Sequence, residues 1–205
     1  MIDYITSLIG KYKYTVMPYS CGLFTKAQQI WIEETATNQT FKQLFNLLTD
    51  NLGIPDYVHS EYSFLWVKNK TIIAYTEMDM YRTNTINIFI FNRMPRGKKI
   101  TYTEYCQLND IINEFASKHS LSYDDTIIYY DNTFFYELYN DTRELMLLIK
   151  NDTVSYNLFP IERDGSTVIT HLAAEYHGEK YINRKNMTSV YSVLQEIFDE
   201  INFKE

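Results

Sequence analysis

Cysteine, proline and glycine are all scarce: two, four and six among 205 residues. Cys21 and Cys106 lie far apart and match no ligand spacing, so neither a disulfide framework nor a Cys-based zinc site is expected. With so few Gly and Pro beside many aromatics, ordered strands are expected rather than disorder. No run approaches the roughly 18 apolar residues that a membrane span needs. The segment Met1–Gly10 carries Asp3 and no basic n-region, so it does not read as a secretory leader, and a reducing, cytoplasmic setting is expected. Five Asn-x-Ser/Thr sequons, at Asn38, Asn69, Asn140, Asn151 and Asn186, are then chance matches in an Asn- and Thr-rich chain.

Catalytic and cofactor signatures are missing as well. There is no Gly-x-Ser-x-Gly elbow, no phosphate loop, no dinucleotide fingerprint and no His-Glu-x-x-His pair. Ser20-Cys21-Gly22 sits in a turn with no neighbour that would lower a thiol pKa. His171 and Glu175 would share a strand face only if the strand stays regular, and His177 falls beyond it in a Gly-containing turn at His177-Gly178, so ordinary surface histidines are expected. Glu77 and Asp79 share a strand face after Pro55-Asp56, yet the Glu-x-Lys element of metal-dependent nucleases is absent. No cofactor and no metal site are therefore expected.

Aromatic residues and acidity are what the chain does have. There are 19 Tyr, 12 Phe and 2 Trp, and the formal charge is −7 with a pI near 5.1. Aromatics favour ordered strands. A net negative charge disfavours nucleic acid and anionic lipid, and it fits a basic protein partner. The length suits one α+β domain over 1–205, or two lobes at 1–95 and 96–205.

Periodicity places three main helices. The first spans Thr40–Leu52, where Thr40 and Gln43 form a capping box and Phe41, Leu44, Phe45, Leu48 and Leu52 share a face. Gly53 ends it and Pro55 prevents its return. The second spans Tyr102–Lys118 behind a Thr101/Glu104 box, with His119 at the end of its inner stripe. The third runs from Met187 to about Asn202, capped by Asn186. Asp199, Glu200 and Glu205 oppose its dipole. A short helix near Ile2–Ile9 and strands at Tyr12–Met17 and Gln29–Glu33 complete the N-terminal reading.

Strands are expected at Tyr62–Lys68, Thr71–Asp79 and Thr85–Asn92, then at 126–130, 133–139, 143–150, 153–160 and 166–174. Tight turns at Asn69-Lys70, Asp131-Asn132, Asn140–Thr142, Asn151-Asp152 and Asp164-Gly165 force antiparallel meanders of about three and five strands. Met146–Ile149 is apolar on both faces and reads as a central strand. A capping box, a helix and a meander occur twice, at Thr40–Asn92 and Thr101–Lys150, which raises a degenerate duplication.

Two clusters are candidate binding sites. Tyr62, Phe64 and Trp66 alternate on one strand with Tyr75 on the next. Covered by a helix they are core, and left open they form a recognition surface. Arg93, Arg96, Lys98 and Lys99 precede a helix and suit an anion, or guard a sheet edge. The expected class is a non-enzymatic, acidic protein-binding module. Its concrete forms are an immunity- or antitoxin-type inhibitor of a basic toxin, or a dimerising secretion chaperone. A small-ligand-binding protein or enzyme with a pocket between sheet and helix, and a viral or mobile-element host-interaction protein, are the alternatives.

Overall fold

The computed structural model describes residues 1–19, 27–33, 37–60, 63–80, 83–92, 100–128, 133–164, 167–170, 173–201 and 203. Within these, residues 59–60, 77–80, 83–84, 124–128, 163–164 and 167–170 are described by their backbone alone. The fold is α+β, with four helices among the described residues and two fully antiparallel sheets. The chain divides into two compact units, Met1–Thr103 and Glu104–Glu205.

The first unit opens with α1 (Ile2–Leu8), β1 (Tyr14–Tyr19) and β2 (Ala27–Ile32). It continues with α2 (Asn38–Leu52), β3 (Tyr57–Ser60), β4 (Ser63–Lys68), β5 (Thr71–Met80), β6 (Thr83–Phe91) and β7 (Ile100–Thr101). Its seven strands lie in the order β1-β2-β6-β5-β4-β3-β7. The sequence reading missed β3 and β7, which are short; β3 begins two residues after Pro55. The β4–β5 hairpin closes through Asn69 and Lys70, whose φ values of 50° and 67° are those of a type I′ turn.

Helix α2 starts two residues earlier than the capping-box spacing implies. Thr37, not Thr40, is the cap, and its hydroxyl accepts from the Thr40 N–H at 3.1 Å. Thr40 is already helical and donates where it was expected to accept. Gly53 closes the helix at φ 81°, in the left-handed region open to glycine.

The second unit comprises α3 (Tyr102–His119, whose first turn spans the boundary), β8 (Ser122–Ile128), β9 (Thr133–Tyr139) and β10 (Arg143–Lys150). β11 (Thr153–Asp164), β12 (Thr167–Thr170), β13 (Tyr176–Tyr181) and α4 (Met187–Glu200) follow. The strand order is β12-β11-β10-β9-β8, and β13 also pairs with β11. β10 is central, as expected. Its Leu145, Leu147 and Ile149 are buried, while Met146 and Leu148 on the other face are half-buried.

Helix α3 ends in a Schellman motif. Leu121 N–H reaches Ala116 O at 2.8 Å and Ser120, at φ 58°, takes the left-handed position. Asn140 closes the β9–β10 hairpin, its Oδ1 accepting from the N–H groups of Thr142 and Arg143 at 2.8 and 2.9 Å.

β12 and β13 pair with successive stretches of β11. Thr170 pairs with Ile161 and Tyr176 with Leu158. Between these two pairs the chain from β12 to β13 advances six residues while β11 advances three. Glu175 N–H donates to Leu158 O at 2.8 Å and restarts the pairing. The sequence reading places a turn at His177-Gly178; these residues lie inside β13.

Candidate functional site

The aromatic set proposed for recognition is interior. Phe64, Trp66 and Tyr75 are buried, because β4 and β5 bring them to the face that α2 covers. Phe41 stacks on Tyr75 with centroids 4.7 Å apart, and Phe45 meets Phe64 at 4.6 Å. Both polar tips are satisfied by the ends of α2: Tyr75 Oη donates to Phe41 O at 2.8 Å, and Trp66 Nε1 donates to Gly53 O at 2.7 Å. These three residues anchor α2 to the sheet and offer no surface to a partner. Tyr62 lies outside the described residues, as do Arg93, Arg96, Lys98 and Lys99, Cys21 and His171. Glu77 and Asp79 lie on β5, where only the backbone is described.

The opposite face of the same sheet is buried too. Ala27, Leu65, Ile72, Ala74, Phe89 and Phe91 form one cluster. Beside it Gln29 donates to Asn87 Oδ1 at 2.6 Å, and both amides are buried. Pairing them removes the penalty of two orphaned polar groups.

In the second unit, α3 and α4 lie over the sheet face that carries Tyr136 and Tyr156. Tyr136 Oη donates to Asn109 Oδ1 of α3 at 2.7 Å, and Tyr156 Oη donates to Glu200 Oε1 of α4 at 3.1 Å. Phe115 meets Phe198 edge-on at 5.4 Å, and the His119 ring lies tilted against Phe198 at 4.2 Å.

A polar constellation gathers on Glu200. Lys180 Nζ pairs with its Oε2 at 2.6 Å, and Tyr176 Oη donates to its Oε1 at 2.7 Å. The ammonium and then the Tyr176 hydroxyl hold the Glu200 carboxyl down at about 2, against an ordinary 4.5. Burial, then the Glu200 carboxylate, pushes the Tyr156 hydroxyl up; the carboxylate is the main cause for Tyr176. Glu200 thus faces bound donors, which offsets the dipole penalty expected for an acid at a helix C-terminus. The group clamps α4 to β11 and β13. Its other members lie 20 to 44 residues from Glu200 in sequence, so no local motif announces it.

No family model, curated protein or solved structure matches this chain.

The Glu200 clamp has a pH signature. A depressed carboxyl stabilises the fold fully above its unfolded pKa, and that contribution fades as pH falls. The stability gap between wild type and Glu200→Gln is expected to be constant above about pH 5 and to close as pH falls towards 2. Urea unfolding of both proteins at several pH values measures it; a gap that does not change with pH contradicts the assignment.

Gly178 is required by the same clamp. It sits opposite Tyr156 in the β11–β13 register, and the tyrosine ring lies across it. A Cβ there would overlap the Tyr156 Oη and meet its Cζ at 2.5 Å. Alanine normally improves a strand over glycine. Here Gly178→Ala is expected to cost about 1–3 kcal/mol through overpacking. Tyr156→Leu in the same chain should recover part of that loss, as read by urea denaturation.

Among the described residues no three His, Cys, Asp or Glu side chains gather as metal ligands. No described helix is long and apolar enough to cross a membrane.

The charge distribution is the larger-scale feature. Residues 1–103 hold 11 Lys and Arg against 8 Asp and Glu, a net +3. Residues 104–205 hold 8 against 18, a net −10, and the two add to the chain's −7. The acidity therefore belongs entirely to the second unit. Asp110, Glu114, Asp141, Asp152, Glu162, Glu175, Glu179, Glu196 and Asp199 are all exposed there.

Proposed function

We propose that the protein is a non-enzymatic binding module whose acidic second unit engages a basic protein. Its concrete form is an immunity- or antitoxin-type inhibitor that covers the cationic surface of a toxin. The observation that carries the reading is the net −10 of residues 104–205 beside the +3 of residues 1–103. Solubility alone needs no such segregation. A field of one sign on one unit steers a partner of opposite charge and speeds encounter.

The test is purification of the tagged full-length chain from its native host at low and high ionic strength, with the retained proteins identified. A basic protein retained at low salt and released as salt rises is expected. Recovery of no basic protein under any growth condition overturns the reading.

A further inference from the structure

Resting on that reading, we infer that the outer edge of β13 is where the basic partner docks, as an extended segment bearing arginine or lysine. Among the described residues β13 pairs with β11 alone. Its second edge therefore offers main-chain N–H and C=O groups to an added strand. Residues Tyr176–Tyr181 alternate strictly between two roles. Tyr176, Gly178 and Lys180 face α4 and serve the Glu200 clamp. His177, Glu179 and Tyr181 point to the other face, and all three are exposed. Tyr181, at 74%, is the most exposed large hydrophobic among the described residues.

This edge is clamped from one face and chemically biased. The clamp fixes β13 from beneath, so an incoming strand meets a preorganised template. Glu179 is oriented by Ser155 Oγ, which donates to its Oε2 at 3.3 Å. Two residues on, Tyr181 shares its face, and the exposed Asp152 is held at the end of β13 by Ile182 N–H donating to Asp152 O at 2.8 Å. An arginine on an added strand would stack on the Tyr181 ring and pair with Glu179. A second copy of the chain is disfavoured as occupant, because edge-to-edge pairing would join two units of net −10 each.

The test uses the full-length protein and a blocked nine-residue peptide of alternating arginine and threonine. An analogue N-methylated at alternate residues has the same charge but lacks the donors for pairing. The first peptide is expected to bind and to slow amide exchange across residues 176–181, while the analogue binds at least about tenfold more weakly. Tyr181→Ala, at an exposed position outside the core, and Glu179→Gln should each weaken the first peptide roughly tenfold. Equal binding of both peptides, with exchange at 176–181 unchanged, overturns the docking edge and leaves the basic-partner reading standing. Failure of any cationic peptide to bind overturns both. Slowed exchange at 176–181 in free protein with rising concentration assigns the edge to a second copy and also overturns the inference.

Discussion

Arg184→Ala is expected to destabilise the protein by about 3–5 kcal/mol, the range for breaking a buried ion pair from one side. Arg184 is 9% exposed, and its Nη2 donates to Glu104 Oε1 in a short ion pair. Its Nη1 donates to Asn151 O at 3.2 Å, and its guanidinium lies 5.3 Å from the centre of the Phe134 ring. One side chain thus ties the start of α3 to the β10–β11 turn and to the segment leading into α4. Asn151 occupies that turn at φ 53°, so its carbonyl is presented in a fixed direction.

Alanine would remove the charge, leave Glu104 without this partner and open a cavity over Phe134. Removing both charges should cost less. Arg184→Met combined with Glu104→Gln keeps the volume and leaves no uncompensated ion. Urea unfolding across the cycle of wild type, both single variants and the double variant measures the coupling. A single-variant loss below about 1 kcal/mol would show that the pair is solvated.

Trp66→Ala is expected to be comparably damaging, at about 3–5 kcal/mol. Trp66 is completely buried, with Phe45 of α2 at 6.0 Å. Its Nε1–H also satisfies the carbonyl of Gly53, where α2 ends. Truncation creates a cavity and orphans that carbonyl together. Trp66→Phe separates the two effects, because it keeps most of the apolar volume and loses the donor. Its expected cost is nearer 1–2 kcal/mol, the hydrogen bond accounting for about 1. A Trp66→Ala protein with an unchanged urea midpoint would mean that α2 does not lie over this face.

These effects explain why some of the molecule was legible in the sequence and some was not. Features set by neighbouring residues could be read directly. Asn69-Lys70 has the chemistry of a tight hairpin and forms one. The strands over 133–139 and 143–150 fall on the residues expected, because apolar residues fill them and Asn140–Thr142 interrupts them. Gly53 stops α2 because a left-handed residue is needed there.

The misreadings come from local signals that tertiary contacts override. Tyr-His-Gly-Glu-Lys-Tyr is polar and holds a glycine, so it resembles a turn. It is a strand because Tyr156 lies over Gly178 and Glu200 holds Tyr176 and Lys180. Thr40 carries a capping-box pattern, yet Thr37 has the extended backbone that a cap requires. Phe64, Trp66 and Tyr75 could be read as surface or core, since alternation shows which residues share a face but not what covers it.

The Glu200 clamp and the Arg184–Glu104 pair join positions 20 to 80 residues apart. No windowed pattern reaches that far. The charge asymmetry, in contrast, was written in the sequence throughout. It became visible only once the boundary between Thr103 and Glu104 was known.

Nuclear magnetic resonance titration of the full-length chain with hexalysine tests the charge-segregated binding surface most directly. Amide shifts confined to residues 104–205, and abolished by about 0.5 M salt, are the expected result. Shifts spread evenly over both units, or concentrated in residues 1–103, would contradict it.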